Sequence, residues 1–317
     1  MAVSVSDCAI RLVESSAARY HWPHMRLTLP LDDYRVTKDN LRIKKAKTTV
    51  KRLYRDEAHY QELLAQYRSE ISELQEQMYA HDRYGLLLIF QAMDAAGKDG
   101  TIKHVMSGID PQGVEVHAFK KPTQDELDHD YLWRTSTVMP PRGRIGIFNR
   151  SYYEEVLVCQ VQPEIVQNIQ RLPQEQLQDM KKLFNKRRSD IAQFEAYAQR
   201  NGIRIIKFML HVSKDEQKKR FLERIDTPAK NWKFNAADVQ AREKWDDYMK
   251  AYEQAINATA SPESPWYVVP ADDKKNMRLI VSLAILSEMK KLHLHWPKLP
   301  KEQLAELAKA REMLMAE

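Results

Sequence analysis

Short apolar runs recur along this chain, and polar stretches with a different rhythm separate them. GLLLIF (85–90), VEVHAF (114–119), RIGIF (144–148), IRIIKFML (203–210) and WYVV (266–269) have the length and composition of buried strands. Between them apolar positions fall at helical spacing, as in PQEQLQDMKKLFNKRRSDIAQFEAYAQRNG (173–202), which opens on a proline and closes near a glycine. This alternation predicts an α/β fold, a parallel five-stranded sheet with helices on both faces. Right-handed crossovers then bring the strand-to-helix loops to one edge, where such folds bind ligands.

The flanks read differently. Leu63, Tyr67, Ile71, Leu74 and Met78 form one apolar stripe on a long helix, which packs against the domain or against another subunit. The expected organisation is an N-terminal extension with this amphipathic helix (1–84), a core (85–293) with a lid at about 212–245, and a C-terminal helix (294–317). Seven of the eight glycines (Gly85, Gly97, Gly100, Gly108, Gly113, Gly143, Gly146) fall in one stretch, with Gly202 outside it. Glycine permits close backbone approach, so the chemistry is expected in that stretch.

Composition narrows the picture modestly. A net charge of +6 suggests an anionic partner without choosing among nucleic acid, membrane and phosphate. Cys8 and Cys159 are far apart and outside any metal-ligand spacing, so they read as reduced thiols. The N-terminal residues have no apolar stretch of signal-peptide length, and no run approaches the ~20 residues of a membrane span. A soluble, cytoplasmic protein is expected. His293 and His295 lack carboxylate or cysteine neighbours in sequence and are not expected to hold a metal.

The stretch LLLIFQAMDAAGKDGTI (86–102) is nearly a phosphate-binding loop. Against G-x-x-x-x-G-K-[ST] it matches at Gly97 and Lys98, with Ala92 in place of the first glycine and Asp99 in place of the hydroxyl residue. A strand before it and a helix after it supply the context in which N–H groups cradle phosphate. Ala95, Ala96, Gly97, Lys98, Asp99, Gly100 and Thr101 are the candidate cradle; a plain strand-to-helix turn is the alternative. Asp94 would repel phosphates unless a metal stood between them, and Mg²⁺ is commonly held by one or two carboxylates with phosphate oxygens, Mn²⁺ being a substitute. Asn149-Arg150 at the end of RIGIFNR, with Glu154 one turn on, place a guanidinium at the binding edge; helix capping by Asn149 and Ser151 is the competing reading. Tyr152 and Tyr153 suit either base stacking or the core.

DAAGKDGTIKH (94–104), FNRSYYEEVL (148–157), VSKDEQKKRFLERIDTPAKNWKF (212–234) and WYVVPADDKKNMRL (266–279) together resemble the polyphosphate kinase 2 family, over roughly residues 30–293. The resemblance implies a P-loop kinase-like three-layer sandwich with a helical lid. It also implies Mg²⁺-dependent, reversible transfer of the terminal phosphate of inorganic polyphosphate to a nucleotide. Carried over by motif, Asp94, Lys98, Arg150 and Arg224 are the catalytic set, with Asp94 at the metal. Many members have aspartate where this chain has Asn149. The Asn form followed by Tyr-Tyr-Glu-Glu resembles the class that accepts both AMP and ADP, forming ADP and ATP.

Around that set, Lys103, Lys120, Lys121, Arg220, Lys230 and Lys233 are candidate polyphosphate contacts, and Asp110, Asn149, Arg150 and Glu154 candidate nucleotide contacts. Asp110 reads equally as a turn residue. Pro228 breaks the lid into a hinge. A homo-oligomer is expected, without nucleic acid or membrane partners. One rival is an ATP-dependent nucleoside monophosphate kinase, against which Asp99 and Asn149 weigh. Another is a non-catalytic polyphosphate- or nucleic-acid-binding protein, which has no use for Asp94.

Overall fold

A computed structural model describes residues 29–234 and 236–317; Cys8 and the start of the N-terminal extension lie outside the described residues. The sheet has six strands in the order β1–β6–β5–β2–β4–β3. Five are parallel: β2 (Gly85–Gln91), β3 (Val114–Ala118), β4 (Ile145–Asn149), β5 (Ile203–His211) and β6 (Trp266–Pro270). The sixth, β1 (Arg35–Val36), pairs antiparallel with β6 and was not anticipated, because two residues carry no periodicity.

Every residue of β2 and β6 is buried, as expected of parallel strands covered on both faces. VEVHAF departs from its expected burial: β3 is an edge strand, and Val116 is 52% exposed. The helices form two groups. In one, α1 (Glu57–His81), α2 (Lys98–Met106) and α6 (Lys274–Lys290) pack together; in the other, α3 (Met180–Arg200) packs on α5 (Trp245–Thr259). The stripe Leu63, Tyr67, Ile71 and Met78 is buried within this chain's own core, so it presents no surface for self-association. The expected helix at 173–202 divides. A single turn at Gln174–Leu177 precedes α3, whose N-cap Asp179 accepts a hydrogen bond from the Lys182 N–H.

Tyr152 and Tyr153 belong to the core. Both are fully buried, and both hydroxyls donate to Glu195 Oε1, at 2.9 and 2.7 Å. The remaining numbered helices are α4 (Lys214–Ile225) and α7 (Lys301–Met315), the latter with no buried residue. No helix among the described residues is long and apolar enough to cross a membrane. Because β2 to β6 run in one direction, the segments that follow them share one edge. Residues 92–97, 119–123, 150–151, 212–213 and 271–273 therefore meet there.

Candidate active site

The loop between β2 and α2 answers why its first glycine is dispensable. Its left-handed residues are Ala95 (φ 61°) and Gly97 (φ 106°); Ala92 is not among the positive-φ residues. What Ala92 supplies is its carbonyl, which accepts from Lys98 Nζ at 2.9 Å. Gly97 is needed for its dihedral, and it lies against the Arg220 guanidinium. Ala95 has no such freedom, and a non-glycine in that region costs about 1–2 kcal/mol.

Helix α4 holds the loop from behind. Arg220 is 4% exposed and donates through Nη1 to Ala95 O (3.2 Å) and Ala96 O (2.7 Å), and through Nη2 to Ala271 O (2.7 Å) and Asp272 O (3.0 Å). Its Nε donates to Glu216. The sequence offered Arg220 as a phosphate contact; the structure spends its donors on carbonyls, which makes it a clamp on the loop. Thr101 likewise turns inward, its hydroxyl donating to Gly97 O at 2.9 Å.

The second wall is the end of β4. Arg150 adopts φ 64°, and its N–H donates to Phe90 O across the sheet. Its guanidinium lies 2.9 Å from Asp94 Oδ1 and 3.9 Å from Glu154 Oε2. Asn149 Nδ2 donates to Asp99 Oδ1 at 2.8 Å, so the capping role falls to Ser151, whose hydroxyl accepts from Tyr153 N–H. The two sequence departures are thus matched to each other. An aspartate at 149 would set two carboxylates face to face, whereas the amide lets Asp99 stay at the mouth of the loop.

Burial shifts the charges here. It lowers the Lys98 pKa, opposed by Asp94, and it raises that of Glu154, opposed by Arg150 and Lys98. For both groups burial outweighs the opposite charges nearby, a state that an arriving polyanion relieves for the lysine.

These elements enclose a cleft of about 610 Å³ lined by Asp94, Ala95, Gly97, Lys98, Asp99, Gly100, Lys120, Lys121, Asn149, Arg150 and Arg224, with Ala118, Phe119 and Trp232. The family model described as Polyphosphate kinase 2 (PPK2) matches residues 54–295. The chain belongs to the polyphosphate kinase 2 family. It is 52% identical over 268 residues, 84% of this chain and 92% of the other, to a protein of Rhodopseudomonas palustris named ADP-polyphosphate phosphotransferase. It is 41% identical over 236 residues to the AMP/ADP-polyphosphate phosphotransferase of Meiothermus ruber, covering 74% of this chain and 83% of that one. The crystal structure of Polyphosphate Kinase 2 from Arthrobacter aurescens TC1 superposes with a TM-score of 0.78 at 36% identity, over 89% of this chain and 98% of that one.

Within this polyphosphate kinase 2 fold, several expected contacts stand elsewhere. Asp110 lies just before β3, at the opposite edge of the sheet from the loop, and its carboxylate accepts from Gln112 N–H. It is a turn residue, remote from the cleft. Lys103 is exposed on α2 past the loop, and Lys230 is exposed in the turn after α4; neither lines the cleft. The side chain of Lys233 lies outside the described residues. Glu154 reaches the site through Arg150 rather than by lining the cleft.

Three contributors were missed. Phe119 and Trp232 line the cleft, and Trp232 is 78% exposed at its mouth. Arg134, 8% exposed, donates to Lys120 O and lies over the Phe119 ring, which fixes the segment bearing Lys120 and Lys121. The only sequence signal for Trp232 was its place in AKNWKF, inside the segment expected to form a lid.

Proposed function

We propose that this chain transfers the terminal phosphate of inorganic polyphosphate to ADP and AMP, and that Asp94, Lys98, Arg150 and Arg224 carry the reaction. The observation behind this reading is their convergence on one cleft with Lys120 and Lys121, where two polyanions must meet. The names of the relatives from R. palustris and M. ruber support polyphosphate as donor. The uncharged Asn149 and the M. ruber name support AMP beside ADP.

An acceptor phosphate whose second pKa is about 6 is ionised at neutral pH, so no strong base is required. The residues' task is positioning and neutralisation of charge. The N–H groups of Ala95 and of residues 97–100 cradle the donor chain, that of Ala96 being taken by the Met93 carbonyl, and Lys98, already folded toward the loop, meets the transferring group. Arg150 clamps phosphate in two places and is itself oriented by Asp94 and Glu154. Arg224 closes from the lid side.

Among the described residues no three His, Cys, Asp or Glu side chains form a metal cage of their own. Asp94, a partly exposed carboxylate beside the phosphate loop, fits Mg²⁺, which typically takes one or two carboxylates and completes its shell with phosphate oxygens and water. Bound there, Mg²⁺ supplies charge neutralisation between donor and acceptor; Asp94 would hold it.

The test is incubation of the purified protein with Mg²⁺, long-chain polyphosphate and either AMP or ADP, with products separated by chromatography. ADP and ATP from AMP, and ATP from ADP, are expected. ATP from ADP alone would remove AMP from the account. Turnover only with ATP plus AMP, without polyphosphate, would replace it with a monophosphate kinase.

A further inference from the structure

Beside the clamp made by Arg220, α4 offers the loop a second contact, and its chemistry is directional. Gln217 is 1% exposed, and its Nε2 donates to the Asp94 carbonyl at 2.8 Å. Its Oε1 accepts from Arg242 Nη1 at 2.7 Å, and the same Nη1 donates to Lys214 O at 2.9 Å. A guanidinium only donates and a carbonyl only accepts, so a single orientation of the Gln217 amide satisfies both neighbours. Arg242 fixes that orientation. Were the amide turned over, its oxygen would face the Asp94 carbonyl and push away the peptide that bears the Asp94 carboxylate.

The placement of Arg242 gives this a consequence. It opens the short turn Arg242–Lys244 that leads into α5, where the chain returns from the lid. Gln217 lies on the helix that enters the lid and carries Arg224 two turns later. Gln217 and Arg220 together hold three consecutive carbonyls of the loop, those of Asp94, Ala95 and Ala96. Both ends of the lid are thereby tied to the peptide whose side chain would hold the metal.

We propose that Gln217 is a positioning residue that couples the return of the lid, through Arg242, to the placement of Asp94. The inference rests on the role of Asp94 in transfer given above. It requires nothing of Gln217 toward substrate, and Gln217 is not among the residues lining the cleft.

Gln217→Glu is the discriminating variant. It preserves shape and keeps a partner for Arg242, but it sets an acceptor against the Asp94 carbonyl. We expect kcat to fall by about 10- to 100-fold, with KM for polyphosphate within about twofold. The thermal midpoint should stay within a few degrees, roughly what a 1 kcal/mol change produces. Wild-type kcat would overturn the proposal. So would a collapsed midpoint with normal turnover per folded molecule, since that is a merely structural role.

Gln217→Met and Arg242→Gln serve if the glutamate variant does not fold. Each should lower kcat, and Arg242→Gln should add nothing in the Gln217→Met background; independent, multiplying losses would refute the coupling. Asp94→Asn is measured alongside. If it retains wild-type turnover, the reading of the transfer site has failed. If it is inactive while the Gln217 variants are normal, only the coupling has failed.

Discussion

The cleft and the cluster around Glu195 are both rich in charge, yet they are built in opposite ways. Glu195 is 1% exposed and accepts from Tyr152, Tyr153, Ser264 and Lys207; Lys207 is wholly buried and also donates to Thr259 O. Each partner has its hydrogen bonds, and the cluster ties α3 to β5 and to the start of β6. In the cleft the Arg150 side chain remains 40% exposed and that of Asp94 29%. Lys98 has its pKa lowered by burial, and among the described residues its ammonium donates to a neutral carbonyl, that of Ala92. One cluster is satisfied within the fold and serves stability. The other keeps charge in reserve, held in place by backbone clamps, and serves a ligand. Local charge density alone does not distinguish them; the exposure of the Arg150–Asp94 pair and the neutral partner of Lys98 do.

The sharpest break in this contrast is expected at Asp94. Asp94→Asn should lower kcat by about 10³-fold, the scale of losing a preorganised charge at a reacting centre, while the urea midpoint holds. Steady-state kinetics and denaturation on one preparation check both halves. Glu195→Leu should behave in reverse: stranding Lys207 in the core costs about 3–5 kcal/mol, read as a lower urea midpoint, with an unchanged KM in the folded fraction.

Glu288 extends the stability side to pH. Burial alone would raise its carboxyl, but hydrogen bonds from Lys291, Arg204 and Tyr267 outweigh it and hold the pKa at about 2, below the ordinary 4.5. A depressed acid stabilises the fold above its unfolded pKa and loses that contribution as pH falls through the folded value. Wild type should exceed Glu288→Gln by roughly 2 kcal/mol at pH 7, allowing for the solvent exposure of its partner Lys291, and the gap should close between about pH 4.5 and 2. Denaturation at pH 7, 4 and 3 measures it.

A smaller effect sharpens the cleft side. Asn149→Asp sets a second carboxylate against Asp99 and should raise KM for polyphosphate about tenfold, the worth of roughly 1.4 kcal/mol; Asp99→Asn in that background should restore it. The smallest effect is expected at α7. Removing residues 298–317, whose helix has no buried residue, should leave kcat and the urea midpoint unchanged.

Much of the site was legible because its parts are local. A strand, a loop and a helix start announce themselves in sequence, and RIGIFNR ends visibly in an arginine. What was illegible depends on contacts across the chain. Asn149 and Asp99 lie 50 residues apart, and only the sheet order sets them side by side. Arg220 and Arg224 share a helical face, so spacing could not tell the loop clamp from the residue that reaches the cleft. Asp110 needed the direction of β3 to be placed at the far edge. Gln217, a neutral amide among charges, gave no signal. The five parallel strands were legible from their apolar runs, but the edge position of β3 was not: V-E-V-H-A alternates strictly, the mark of a strand with one buried face, yet Val116 on the apolar side is exposed while His117 is half-buried. Lys207 shows the converse, a charge inside an apolar strand whose partner sits on another element.

The contrast between reserved and satisfied charge is tested most directly at Lys98. Its pKa is lowered by burial, so holding its charge opposes folding, and that cost fades only as pH rises from the folded pKa toward 10.5. Lys98→Met should therefore abolish polyphosphate-dependent turnover while the urea midpoint at pH 7 stays level or rises. A midpoint that falls as far as that of Glu195→Leu, with normal turnover in the molecules that remain folded, would contradict the account.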